Sequence, residues 1–89
     1  MAWTIEFEPS ALKELKRLGS EPRTRILRTL QRQIAPRDDP RTAGAPLVGE
    51  WTGYWRFRIG DYRVIAKVLD EVLLISVVRV AHRREVYRG

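Results

Sequence analysis

The chain reads as an α+β domain of order β-α-α-β-β-β: an N-terminal strand, a helical hairpin, then an antiparallel three-strand meander. Three observations predict this. Trp55-Arg56-Phe57-Arg58-Ile59 alternates strictly, and Gly60-Asp61 turns it into a second run, Tyr62 to Val68, which is a β-hairpin signal. Two earlier stretches repeat apolar residues at the three- and four-residue spacing of amphipathic helices. Beyond the hairpin, Val72 to Val80 is almost continuously apolar, as a strand central in its sheet or covered on both faces requires.

The elements follow in order. Trp3, Ile5 and Phe7 alternate with Thr4 and Glu6, a first strand with one buried face. Pro9 opens a helix, where its missing N–H has no partner to lose, and Ala11, Leu12, Leu15 and Leu18 form the apolar stripe up to Gly19. Ser20 is the expected N-cap of a second helix carrying Ile26, Leu27, Leu30 and Ile34, with Pro36 as its stop. Pro36 to Pro46 breaks regular structure throughout. Asp38 and Asp39, between Arg37 and Arg41, read as a solvated turn with local hydrogen bonds rather than as paired catalytic carboxylates. Leu47 and Val48 lead towards the hairpin, past a loosely organised Gly49–Gly53 segment around Trp51. The Gly60-Asp61 loop suits a type II′ turn, and Asp70-Glu71 makes another tight turn.

Composition narrows the function. With 89 residues, one domain spanning 1–89 is expected. There is no cysteine and a single histidine, His82, so neither a disulfide framework nor a thiolate or His-rich metal site is expected, and no cofactor is implied. No signal-peptide core and no run long enough for a membrane span stand out, so a cytoplasmic protein without a membrane partner is expected. Lys and Arg total 17 against 11 Asp and Glu, a net charge of +6, and 14 of the 17 are arginine. Guanidinium groups stay protonated and match phosphate geometry with a planar fork, so nucleic acid or an acidic protein is the favoured partner.

Placement gives that charge a purpose. Period two sends Trp55, Phe57 and Ile59 to the core, and Arg56 and Arg58 to the other face, with Arg63 close by across the turn. A meander brings the end of the last strand beside them, delivering His82, Arg83 and then Tyr87. Arginines hold phosphate oxygens and stabilise charge growing in a transition state, whereas an imidazole or a phenol moves a proton. Surface arginines are also commonly just solvated, a lone histidine is usually structural, and Arg79 and Arg84 have no evident role. If His82 and Arg83 alternate along an extended strand, only one of them faces the arginines.

These residues resemble the RelE/ParE toxin superfamily of bacterial toxin–antitoxin systems, and within it the RelE-like branch. The likeness covers nearly the whole chain. It rests on Ala11 to Leu18, on Pro46-Leu47, on Trp55 to Val64 and on His82-Arg83-Arg84-Glu85-Val86-Tyr87. The resemblance implies a microbial-ribonuclease-like fold and a metal-independent toxin that cuts messenger RNA in the ribosomal A site. The implied chemistry is attack of a ribose 2′-hydroxyl on the adjacent phosphate. Arg56 and Arg58 then match a pair that is lysine in the best-studied members, Arg63 a phosphate-binding arginine, Arg83 a basic residue at the leaving group, and Tyr87 an active-site tyrosine. His82 stands as a further candidate for proton transfer. The implied partners are the ribosome with its message and a cognate acidic antitoxin. A ParE-like inhibitor of DNA gyrase and a non-catalytic relative that binds RNA or antitoxin are the alternatives.

Overall fold

In the computed structural model, which describes residues 2–85, the first strand β1 (Thr4–Phe7) leads through Glu8 into the helix α1 (Pro9–Arg17). Pro9 occupies the first turn of α1, and Ala11 and Leu15 are its buried positions. Leu18 leaves the helix with extended backbone, and α2 (Ser20–Thr29) begins at once. Gly19 rather than Ser20 takes its cap position, without a side-chain cap bond. Lys16 and Arg17 end α1 and Glu21 opens α2, each on the favourable side of the helix dipole. The predicted stripe continues past Thr29, but as a π-helical turn over Leu30–Ile34, closed by the Ala35 N–H donating to Leu30 O at 2.8 Å. Leu30, Ile34 and Ala35 are all buried there.

The strands form a single five-stranded sheet of order β1-β5-β4-β3-β2. In it β3 is Trp55–Ile59, β4 is Tyr62–Leu69 and β5 is Leu74–His82. These three make the predicted antiparallel meander, and β5 is an interior strand, with β1 parallel on its other side in register Ile5 to Ile75. An additional strand, β2 (Ala45–Pro46), pairs antiparallel with the outer side of β3, so the sheet extends beyond the expected meander. Two residues carry no readable alternation, which is why β2 is invisible in the sequence. The approach is close: a Cβ on Gly44 would lie 2.7 Å from Arg56 O and 2.9 Å from the Phe57 ring. The last strand also starts later than its apolar run suggests. Val72 lies in a 3-10 turn and is 65% exposed, and Leu73 takes φ 51 before pairing begins.

Both helices pack on one face of the sheet. Phe57, Ile59, Val64, Ala66, Ile75, Val77 and Val80 meet Ala11, Leu15, Ile26, Leu30 and Ile34 there. Phe57 is wholly buried, and burying such a side chain stabilises by roughly 1.5–3 kcal/mol. Among the described residues the other face holds a small apolar cluster, Leu47, Ile65 and Ala81 with Trp51, Tyr54 and Val78 packed against it.

The loop over residues 36–46 is tied down as the sequence suggests. The Asp39 carboxylate accepts from the Arg41 backbone at 3.1 Å and from its guanidinium at 3.0 Å. Arg41 also pairs with Asp70 at the β4–β5 turn and donates to Val68 O at 3.3 Å. Its hydrogen bond holds the Asp70 carboxyl below the usual carboxylate range. Among the described residues no helix is long and apolar enough to cross a membrane.

Candidate functional site

The face turned away from the helices carries the arginines. In the β3–β4 hairpin Arg58 lies directly opposite Arg63, and Arg56 directly opposite Ile65. Opposed residues share a face and sit about 5 Å apart at their Cα atoms, so Arg56, Arg58 and Arg63 stand on one rigid surface. Gly60 takes φ 59 at the first central position of the turn, as a type II′ loop demands, and keeps that register.

Arg83 comes to the same end of the sheet. Its backbone N–H donates to Asp61 O at 2.8 Å, and its Nε lies 3.9 Å from the Asp61 carboxylate, both side chains being more than half exposed. The Arg63 guanidinium folds back on the turn and donates to Gly60 O at 3.0 Å and to Tyr62 O at 2.8 Å. Arg58 is exposed and makes no hydrogen bond or ion pair among the described residues. Arg63 and Arg83 therefore both reach the Gly60-Asp61 turn, with Arg58 directly opposite Arg63 and Arg56 two residues further along β3. A wide, loose pair such as Arg83–Asp61 gives way readily to a phosphate, which offers more acceptors in better geometry.

His82 does not join them, and here the structure corrects the expected cluster. His82 pairs with Tyr62 across β4–β5, in the row that Ile59 continues on the helical side of the sheet. Its ring meets the Tyr62 ring edge-on, with centroids 5.6 Å apart, and its Nδ1 accepts from the Arg84 N–H at 3.2 Å. It lines a hollow of about 320 Å³ with Glu14, Arg17, Leu18 and Glu85, whereas the row of Arg58 and Arg63 continues to Ala81. The cause is a bulge. Ile65 pairs with Arg79 but Ala66 pairs with Val77, so β5 has one extra residue and its side-chain parity inverts. Ile75 and Val77 face the helices before the bulge, and Val80 and His82 do so after it. Arg83, not His82, reaches the arginine end. Tyr87 lies outside the described residues.

Two features escaped the sequence reading. Arg79, without an assigned role, is bonded to α1: its Nη2 lies 3.5 Å from Glu14 Oε2, while Glu14 Oε1 accepts the Val80 N–H at 2.9 Å. The arginine face also continues into aromatic residues. Trp51 and Tyr54 meet edge-on at 5.2 Å, and Lys67 Nζ stands 5.1 Å from the Tyr54 ring centroid. The signal was present, because Tyr54 has the parity of Arg56 and Arg58, and Lys67 that of Arg63. Among the described residues no group of three His, Cys, Asp or Glu side chains is placed to hold a metal ion.

Comparison with known proteins places this geometry. Toxin RelG of Mycobacterium tuberculosis is 27% identical over 88 residues, covering 99% of each chain. The mRNA interferase toxin RelE of Escherichia coli is 32% identical over 90 residues, covering 98% of this chain and 92% of its own. Among solved structures, the toxin–antitoxin complex RelBE2 from Mycobacterium tuberculosis superposes with a TM-score of 0.85 at 25% identity, covering 93% of both chains. The isolated E. coli RelE toxin gives 0.69 at 26% identity, covering 91% of this chain and 84% of that one. The family described as the ParE toxin of the type II toxin–antitoxin system parDE matches residues 5–87. This chain therefore belongs to the RelE/ParE toxin superfamily of type II toxin–antitoxin systems.

Proposed function

We propose that this toxin is an endoribonuclease of the RelE kind, acting in the cytoplasm on messenger RNA in the ribosomal A site. The observation that carries the reading is the Arg58–Arg63 pair. Like charges directly opposite on adjacent strands are destabilising, so an anion seated between them turns a cost into binding. A phosphodiester meets that need. In the proposed reaction the ribose 2′-oxygen bonds to the adjacent phosphorus and the bond to the 5′-oxygen breaks, giving a cyclic phosphate and a free 5′-hydroxyl. Arg58 and Arg63 hold the non-bridging oxygens and stabilise their growing charge, and Arg83 stands ready for the leaving oxygen. Arg56 steadies the neighbouring phosphate.

None of these groups can accept the 2′-hydroxyl proton, since guanidinium stays protonated. The proposal gives the proton work to Tyr87, with His82 on the other side of the sheet in a supporting position at most. An acidic antitoxin that covers the arginine face is the proposed neutralising partner; the related RelBE2 structure is itself a toxin–antitoxin complex.

Primer extension on a translated message tests the reading. Cuts at codon positions that require ribosomes are expected, and an intact message refutes it. The ParE description of the matching family favours one second reading, a poison of DNA gyrase. Gyrase-dependent DNA breaks with intact message would establish that reading instead.

A further inference from the structure

The aromatic end of the arginine face has no part in the chemistry just described. Tyr54 precedes β3 by one residue and shares the parity of Arg56 and Arg58. Lys67, on β4, brings its ammonium over the Tyr54 ring at 5.1 Å, and the half-buried indole of Trp51 meets that ring edge-on at 5.2 Å. Along the strand the face thus reads, from the turn outwards, Arg58 with Arg63, then Arg56 with Ile65, then Tyr54 with Lys67. Four residues separate Tyr54 from Arg58, about 13 Å at the rise of a strand. That is the length of a few nucleotides of extended chain.

We infer that Trp51, Tyr54 and Lys67 form a base-stacking subsite for single-stranded RNA, which seats a nucleotide a short distance along the strand from the phosphate held by Arg58 and Arg63. The inference rests on the proposed RNA substrate but concerns binding, not cleavage. Proteins that track single strands combine a cationic groove for the backbone with aromatic rings for the bases, and both are present here in one line. The partners divide the work. The parts of the half-buried Trp51 and Tyr54 rings that reach solvent offer π surface to a base of any kind, and Lys67 supplies the charge for the adjoining phosphate. Packing alone explains the pair less fully. Leu47, Ile65 and Ala81 need an apolar cover, but such a cover requires neither an indole nor a cation set over a phenol. Because stacking tolerates every base, the subsite positions the message without reading its sequence.

The test is binding of a 2′-O-methyl hexanucleotide, which cannot undergo 2′-attack, measured by fluorescence anisotropy beside the same backbone with its bases removed. The wild-type chain is expected to prefer the base-bearing strand by about 5- to 100-fold. Trp51→Leu and Tyr54→Leu are each expected to reduce that preference at least about fivefold, with Tyr54→Phe restoring it. Lys67→Gln is expected to weaken both strands alike, as loss of one phosphate contact does. Equal wild-type affinity for the two strands, or unchanged preference in both leucine variants, overturns the inference. The base-removal arm needs no variant, so it reads out even if a substitution fails to fold. Base-dependent binding without any cleavage on ribosomes would remove the nuclease reading and leave the subsite standing.

Discussion

Arg63 and His82 show how much one residue's placement decides. Arg63 is fixed opposite Arg58 by the shortest kind of hairpin, whereas Arg28 projects from α2 with no hydrogen bond or ion pair among the described residues. Each substitution by alanine removes one positive charge. Loss of a preorganised donor at a developing oxyanion costs about 10²–10³-fold in rate. Arg63→Ala is therefore expected to lower single-turnover cleavage by about that factor, and Arg28→Ala by far less. Equal losses at equal folded protein would show that bulk charge alone matters. His82 gives the converse prediction. A general base contributes about 10²–10⁴-fold, but an imidazole on the helical side of the sheet contributes no direct proton transfer to a phosphate held on the other. His82→Gln is expected to cost less than about tenfold in the same assay. A loss in the general-base range would bring the imidazole back to the chemistry.

At the scale of the element, β5 carries the argument. β1 pairs with Leu74 to Val77, so among the described residues the second half of β5 has no strand on that side. Glu14 substitutes for the missing neighbour: one carboxylate oxygen accepts the Val80 N–H at 2.9 Å and the other faces Arg79. An amide left unsatisfied in a partly buried place costs about 1–3 kcal/mol. Glu14→Ala is accordingly expected to lower unfolding stability by that amount and to speed amide exchange at Val80. Glu14→Gln, which keeps an acceptor, should retain most of the stability. Identical stabilities for the two variants would mean that the bond to Val80 contributes nothing. The same strand marks the limit of what the sequence discloses. The β3–β4 hairpin was legible because alternation and a Gly-Asp turn agree, and Arg56, Arg58 and Arg63 share a face as that agreement required. In β5 nearly every residue is apolar, so no alternation records that parity inverts at Val78-Arg79, and which of His82 and Arg83 faces the arginines stayed open until the register was known. Tyr54 and Lys67 were legible by parity, but alternation does not disclose that Tyr54 meets both Trp51 and Lys67.

For the whole molecule, which carries a net charge of +6, cations gather on at least two surfaces. Arg56, Arg58, Arg63 and Lys67 occupy the open face of the sheet, and Arg25, Arg28 and Arg32 line a groove of about 620 Å³ along α2 and the turn that follows it. The proposed acidic antitoxin, approaching from either side, meets an attractive field, and this field acts before any contact forms. Such steering raises association rates from about 10⁵–10⁶ to as much as about 10⁸–10⁹ M⁻¹s⁻¹ at low salt. Salt removes it, because the screening length falls from about 10 Å at 0.1 M to about 3 Å at 1 M ionic strength. Stopped-flow association of toxin with acidic antitoxin is therefore expected to slow at least about tenfold over that range, with a smaller change in dissociation. The sign distinguishes this from a hydrophobic docking, which salt leaves unchanged or strengthens. If association holds its rate while dissociation quickens, the charges act only after contact, in short-range pairs, and the long-range field of the arginine face plays no part in finding the partner.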